Sequence, residues 1–497
     1  MARFDTVVVN GQAVLPGLGA MHADIALKDG RIAMIGATIA AHDADEVIDA
    51  SGKLVLPGAV DAHFHLGIYR DLAADTASET TSSLVGGVTS IISYFRTGSH
   101  YLGKSGPYRE IFPEVLAATQ GRARVDYGYH LAPITRDQIG EIDRLVDEDG
   151  VTSFKYYMFY KGMDLAGTSR DAAGYTMAES YDLGHLFEIM EQVAAAQSQR
   201  TDGSRVSLSI HCEQPELIRV FMERVQTAGM LQGLEAYSAG RPTLTEHLAI
   251  AEVEVLANAT RCPINLLHLS SAEALDAACQ LRARHPGLDV RLETTLHHLA
   301  LAYETYADQR GKVNPPIRAL ADVEALWQGV RRGAIDWVCS DHACCSETHK
   351  EGDMWKALPG FGGTGLMYPL LLTLGLRRGV ALERIVDLAA ANPARAYGLA
   401  PRKGAIAIGG DADLAIVDLD QTHPVTAERL LSAQEYTPFA AMELTGWPVR
   451  TLLRGATVFV DGEPIGAPRG SYLKRPLTFV EHVAEPGMRC GAGARLQ

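Results

Sequence analysis

Between residues 54 and 340 the chain repeats one pattern eight times: a short β-rich apolar run, followed by a stretch with apolar residues three and four apart. The runs fall at 54–60, 88–95, 125–131, 151–156, 206–211, 264–269, 289–294 and 335–340. Such runs suit strands buried on both faces of a parallel sheet. Segments between them, Thr245 to Ala257, Ser271 to Arg284 and Ala321 to Arg332 among them, carry the helical period. Strand-plus-helix units in this number predict an α/β chain folded as a (β/α)8 TIM-like barrel.

The flanks read differently. Phe4 to Val9, Ile25 to Lys28, Ile32 to Ile35 and Leu54 to Leu56 are short β-type runs broken by Gly and Asn. Similar runs return at Leu414 to Val417, Arg450 to Leu453 and Ala456 to Val460, beside Gly409, Gly410, Gly455 and Gly462. Two flanks of one character predict a small β-sandwich built from both ends. The expected division is 1–57 and 399–470 for the sandwich, 58–398 for the barrel, and 471–497 for a C-terminal extension rich in Gly, Pro and Arg, expected to be an extended arm.

Charge and composition narrow the partners. Lys+Arg 45 against Asp+Glu 60 leaves a net charge of −15, which argues against a nucleic-acid surface. No run approaches the roughly 18 to 20 apolar residues of a membrane span, and the first ten residues lack the apolar block of a secretory signal. A cytoplasmic protein is expected. Seven cysteines (Cys212, Cys262, Cys279, Cys339, Cys344, Cys345 and Cys490), odd in number and mostly in apolar segments, point to reduced thiols.

Polar residues at the ends of the apolar runs carry the chemistry. In Asp61-Ala62-His63-Phe64-His65 the two histidines are two apart, so in an extended segment both imidazoles face one side. Lys155 ends the fourth run, His211 the fifth and His268 the sixth, and Asp341 follows the eighth. Side chains at the carboxyl ends of barrel strands converge on one mouth. An ammonium there would repel a metal, but a buried lysine with a lowered pKa can take up CO2, and the resulting carbamate has two oxygens to bridge two cations. His63, His65, Asp341 and one carbamate oxygen then serve the first ion; His211, His268 and the other oxygen serve the second. Two ions roughly 3.5 to 4 Å apart supply hydroxide near neutral pH. Asp341 is placed to take its proton and pass it to a leaving nitrogen. Tyr160, on the loop after Lys155, is a candidate donor to the oxyanion. Zn2+ is the default ion for these ligands, with Mn2+, Fe2+ and Co2+ also compatible.

At this point the sequence resembles the amidohydrolase superfamily, in its cyclic amidohydrolase branch of dihydropyrimidinase (hydantoinase), allantoinase and dihydroorotase. The resemblance runs through Leu56-Pro57-Gly58, Asp61 to His65, Gly86-Gly87-Val88-Thr89-Ser90, Phe154-Lys155, His211-Cys212-Glu213, Leu267 to Ser271, Glu293-Thr294, Asn314 to Arg318, Ser340-Asp341-His342, Asn392-Pro393-Ala394-Arg395, Lys403-Gly404 and Gly409 to Leu414. It implies a carbamylated Lys155, four histidine ligands, Asp341 as ligand and proton carrier, and Tyr160 as oxyanion donor. It further implies that the Asn314 backbone holds the substrate's amide ring, and that the protein is a homodimer or homotetramer.

Departures bear on the substrate, which is expected to be a small cyclic amide. Dihydroorotases look like His-x-His-x-Arg, whereas Gly67 stands here, and Cys344-Cys345 replaces their Pro-His. The hydantoinase pattern Asn-Gly-x-Pro-Gly-x-Glu gives way to Pro359-Gly360-Phe361-Gly362-Gly363-Thr364-Gly365. Loops at about 96–109, 161–180 and 343–365 are expected over the mouth. Tyr157, Met158, Phe159, Trp355 and Phe361 are candidates for an apolar pocket. The expected reaction is hydrolytic opening of a dihydropyrimidine, hydantoin or similar ring. An allantoinase-like or other lactam- or imide-opening enzyme is the alternative. A metal-free scaffold relative is disfavoured because all six ligand positions are filled.

Overall fold

The computed structural model describes residues 2–160 and 181–479. Eight parallel strands form its central sheet: β1 (Ala59–Phe64), β2 (Val88–Phe95), β3 (Asp126–Leu131), β4 (Ser153–Tyr157), β5 (Ser207–His211), β6 (Ile264–Leu266), β7 (Val290–Thr295) and β8 (Trp337–Cys339). Each pairs with the next in chain order. A bridge between Phe64 and His342, with the His65 amide donating to the His342 carbonyl at 2.8 Å, brings the last strand back to the first. The sheet is therefore a TIM-like barrel.

Helices cover the outside because their apolar spacing matches that surface. Ala272–Arg284 buries Ala274, Leu275, Ala278 and Leu281, and Ser271 caps it by accepting from the Ala274 amide. Leu72–Val85 is capped in the same way by Asp71. Among the described residues no helix is long and apolar enough to cross a membrane.

The run at 54–60 is two strands, not one. Leu54–Pro57 pairs antiparallel with Leu414 to Val417 in a separate sheet, and the barrel begins at Ala59. Gly58 allows the passage: a Cβ there would lie 2.1 Å from Thr89 Oγ1. That separate sheet has seven strands, from Gln12–Leu15, Gly19–His22 and Leu54–Pro57 at one end of the chain and Leu414–Pro424, Glu443–Leu453, Ala456–Val460 and Glu463–Pro464 at the other. A four-stranded sheet comes from N-terminal residues alone: Phe4–Val9, Asp24–Lys28, Arg31–Gly36 and Ala44–Asp49. Val8, Ile25 and Leu27 of the smaller sheet share one apolar core with Ala13, Val55, Leu414 and Leu452 of the larger.

Two features close the barrel's lower end. Lys403, fully buried, lies 2.6 Å from Asp126 at the start of β3, 2.9 Å from Asp411 and 2.7 Å from Asp413. Arg454 pairs with the same Asp126, and Arg31 and Arg402 pair with Asp411. Residues 470–477 then cross beneath the barrel instead of extending away as an arm. The Tyr127 amide donates to the Ser471 carbonyl and the Leu473 amide to the Tyr127 carbonyl. Arg475 reaches inward to Ser153 Oγ and the Tyr129 carbonyl, while Leu473 and Leu477 join Trp337 and Tyr397 in a floor of apolar side chains.

Candidate active site

The carboxyl ends of the strands bring His63, His65, Lys155, His211, His268 and Asp341 to one cleft. His63 lies within β1 and His65 just beyond it. Lys155 sits inside β4, His211 ends β5, and His268 and Asp341 each stand two residues past the end of their strand. Both of these last residues have positive φ, 36° and 52°, a costly conformation for a residue with a side chain. Such strain is retained where the surroundings fix it.

Two nitrogens converge on one oxygen. His63 Nε2 lies 3.0 Å and His65 Nε2 3.2 Å from Asp341 Oδ1. Behind His63, Glu293 Oε1 lies 2.7 Å from Nδ1. A carboxylate only accepts, so a proton on Nδ1 satisfies Glu293 and, in the neutral tautomer that this favours, Nε2 is left to face Asp341 as a lone pair. A lone pair facing a carboxylate oxygen at 3.0 Å is repulsive unless a cation lies between them. Glu293 also accepts from the His268 amide at 3.2 Å and from Trp337 Nε1 at 2.8 Å, so one buried acid on β7 orients two of the histidines.

The second half of the cleft is built alike. His211 Nε2 meets Glu213 Oε2 at 2.6 Å, and Arg241 holds that carboxylate with two N–H groups. The His211 and His268 rings are 4.4 Å apart, and His268 Nδ1 is buried without a hydrogen-bond partner. Burial keeps these imidazoles neutral and able to donate lone pairs. It pushes His65 to about 4 against the pull of Asp341, His211 to about 4 against that of Glu213, and His268 well below its ordinary value. Lys155 stands over the Tyr94 and Tyr157 rings, 4.3 and 4.8 Å from their centroids. Burial lowers its ammonium to about 8, although Asp341 and Glu293 pull the other way. Asp341 itself would be raised by burial, but the imidazoles around it, His63 first and then His65 and His297, hold it well below the usual carboxylate range.

Other buried groups of acids and thiols are less apt for an ion. Lys403 already neutralises the one formed by Asp126, Asp411 and Asp413, and Arg70 reaches into that of Asp75, Glu79 and Cys344.

Tyr160 ends the single turn Met158–Tyr160 after β4 and lines the cleft, as does Asn314, whose Oδ1 accepts from Tyr237 at 2.6 Å. Tyr157 and Phe159 line it too, the Phe159 ring 4.5 Å from that of His211. Phe361 instead packs against His297 and Phe439, and Trp355 stands 6.3 Å from Tyr237. Of the three expected loops, 96–109 and 343–365 contribute Arg96, Tyr101, Pro359 and Gly360 to the wall, and 161–180 lies outside the described residues. Sequence reasoning assigned no role to Glu293, Glu213, Arg241, Arg96 or Tyr101. Tyr101 matters here because its hydroxyl lies 3.1 Å from His65 Nδ1.

Comparison with known proteins agrees with this geometry. The sequence profile of the amidohydrolase family matches residues 206–458. An L-hydantoinase of Paenarthrobacter aurescens is 32% identical, the alignment covering 93% of this chain and 95% of that one. An allantoinase of Rubrobacter xylanophilus is also 32% identical, over 95% of this chain and 98% of its own. Among solved structures, an L-hydantoinase (dihydropyrimidinase) from Arthrobacter aurescens superposes with a TM-score of 0.83 at 30% identity, over 94% of this chain and 99% of that one. With its second half matched by the profile and its whole length by such relatives, this chain belongs to the amidohydrolase family.

Proposed function

We propose that this chain is a binuclear metal-dependent hydrolase that opens a small cyclic amide, a hydantoin, dihydropyrimidine or similar ring, at a C–N bond. The observation that carries the reading is the convergence of His63 Nε2 and His65 Nε2 on Asp341 Oδ1 at 3.0 and 3.2 Å, with Glu293 Oε1 2.7 Å from His63 Nδ1 on the far side of the ring. His63, His65 and Asp341 would hold one divalent ion and His211 and His268 the other, with Lys155 bridging them as its carbamate. Zn2+ is the default, with Mn2+, Fe2+ and Co2+ also suited to these ligands. Such ions, when bound, lower the pKa of water enough to provide a nucleophile at neutral pH.

The chain's own residues do the rest. Asp341 holds the proton lost in the attack and delivers it to the leaving ring nitrogen. The Tyr160 hydroxyl donates to the oxygen that becomes negative as the carbonyl turns tetrahedral. Asn314, its side-chain oxygen already engaged by Tyr237, presents its main chain to the amide of the ring. Tyr157 and Phe159 exclude water around the reacting carbon. Opening of an allantoin-type ring is the second reading, favoured by the allantoinase relative at equal identity. A cytoplasmic location suits Cys212, Cys262, Cys279, Cys339, Cys344 and Cys345, all free thiols, and a homodimer or homotetramer is the expected assembly.

The test sets metal-loaded protein against chelator-treated protein on dihydrouracil, 5-substituted hydantoins, allantoin and simple cyclic imides. Ring opening that disappears on chelation and returns with a divalent ion is expected. Ring opening that survives complete metal removal, or no activity on any of these rings, overturns the reading.

A further inference from the structure

Two lengths of main chain meet in the wall of the cleft. Val313 and Asn314 belong to one, Pro359 and Gly360 to the other, and all four line the cleft beside the histidines. None of the four lies in a strand or helix, so the buried carbonyls around them need hydrogen-bond partners from elsewhere. Lys350, at the end of the single turn Glu347–Lys350, supplies one. It is buried behind the wall, and its Nζ donates to the Lys312 carbonyl at 3.1 Å and to the Leu358 carbonyl at 2.7 Å. Lys312 immediately precedes Val313 and Leu358 immediately precedes Pro359. One nitrogen thus fixes both lengths at the points where they enter the wall.

Other contacts stitch the same two lengths together. The Gly360 amide donates to the Lys312 carbonyl at 2.9 Å, Gln309 Nε2 to the Lys350 and Gly352 carbonyls at 2.8 and 2.9 Å, and Lys312 Nζ to the Trp355 carbonyl at 3.0 Å. The Lys350 grip differs in kind, because it joins carbonyl to carbonyl. Two acceptors do not attract each other, so the amine between them is what draws them together. Charge is not what this grip needs. Burial pushes the Lys350 ammonium down to about 8, although Cys345 and Asp308 pull it up, and a neutral amine still has two N–H groups for two carbonyls. The effect reaches the substrate through Asn314. Tyr237 holds its side-chain oxygen, and its main chain takes its position from the Lys312 carbonyl two residues before.

We propose that Lys350 is a positioning residue for substrate binding: by holding the Lys312 and Leu358 carbonyls on one amine, it sets the main chain of Asn314 and Gly360 against the ring while touching neither substrate nor metal. This rests on the hydrolase reading above and deepens it by naming what fixes the ring-binding wall.

The experiment joins kinetics to hydrogen exchange on the metal-loaded enzyme. Lys350→Met removes the donors and keeps an unbranched stem; Lys350→Gln keeps an NH2 group on a shorter one. With dihydrouracil, hydantoin and allantoin as probes, Lys350→Met should raise KM about tenfold with kcat within about threefold of wild type, because the metal ligands and Tyr160 stay in place. Metal affinity should be unchanged, and Lys350→Gln should fall between Lys350→Met and wild type. In both variants exchange should quicken together in peptides covering 308–314 and 357–363 and stay as it was at β5 to β7. A Lys350→Met enzyme with KM within about twofold of wild type overturns the proposal, as does a fall in kcat with KM unmoved. So does quickened exchange in one peptide alone, or a loss of stability in urea without these changes, which is what a merely structural lysine would give. Should Lys350→Met not fold, Lys350→Gln decides by the same readouts. Should neither fold, exchange of wild type in urea decides, and opening rates more than about tenfold apart in the two peptides overturn the proposal. If metal-loaded wild type opens none of the three rings, the hydrolase reading falls, while exchange still judges whether Lys350 binds the two lengths together.

Discussion

Glu293→Gln tests how the centre is held together without touching a side chain proposed to bind metal. Three donors converge on the Glu293 carboxylate: His63 Nδ1 at 2.7 Å and the His268 amide at 3.2 Å on Oε1, and Trp337 Nε1 at 2.8 Å on Oε2. Glutamine has one acceptor oxygen and an NH2 group, so in either orientation an N–H faces a donor. Turning the NH2 to Trp337 is the cheaper choice. It loses one charge-assisted hydrogen bond, about 1.5–3 kcal/mol, and leaves His63 with a neutral partner of roughly half the strength. The less basic His63 should then weaken metal affinity about 10–100-fold. Competition with a chromophoric chelator reads that affinity, and urea denaturation of the metal-free protein reads the folding cost separately. Adding Trp337→Phe removes the opposed N–H and should recover stability without recovering metal affinity. Unchanged affinity in Glu293→Gln would refute the idea that this acid sets the basicity and direction of the histidines.

Lys155→Ala should lower kcat by at least about 100-fold, and a short carboxylate such as acetate should restore part of it by standing in for the carbamate; full activity without additive counts against bridging by this lysine. With its ammonium lowered to about 8, about one-tenth of Lys155 is free amine at pH 7. CO2 uptake by metal-free protein, followed by 13C NMR at fixed dissolved CO2, should therefore slow about tenfold per pH unit below 8 and level off above it. A rate independent of pH would contradict this. At the barrel's lower end, burial alone would lower the Lys403 ammonium, but Asp413, Asp126 and Asp411 raise it above 10.5, so its contribution is full below pH 10.5 and fades only at higher pH. Lys403→Met leaves buried carboxylates short of a partner and should cost about 3–5 kcal/mol in urea denaturation at pH 7. A loss under about 1 kcal/mol would show that Arg31, Arg402 and Arg454 suffice.

Much of this was readable in the sequence, for a physical reason. Parallel strands covered on both faces must be apolar nearly throughout, so His63, Lys155, His211 and His268 stand out where they interrupt or end such runs. Glu293 interrupts the seventh run in the same way and could have been found by the same signal, as could Arg96 directly after Ile91 to Phe95. Arg241 could not. It reaches Glu213 from the end of a helix, and only the fold makes them neighbours. The strands Gly19–His22 and Ala44–Asp49 escaped notice because much of their surface is exposed, so their sequences carry little apolar signal. The division at 57/58 was legible from the change of character there, although the apolar residues on both sides of Gly58 also read as one continuous run. The partner of Leu54–Pro57 lies at Leu414 to Val417, and such long-range pairing leaves no local trace.

The strap of residues 470–477 bears on how the molecule comes into being. A ribosome that has made all eight barrel strands has still to make the strands that complete the larger sheet and the Leu473, Arg475 and Leu477 side chains that seal the floor. Until those emerge, apolar groups around Ala62, Ile92 and Trp337 remain open to solvent and to other chains. Assembly of this enzyme thus waits on a segment made only after the whole barrel, and a product cut short before Arg475 should display the surface by which chaperones and proteases recognise unfinished protein.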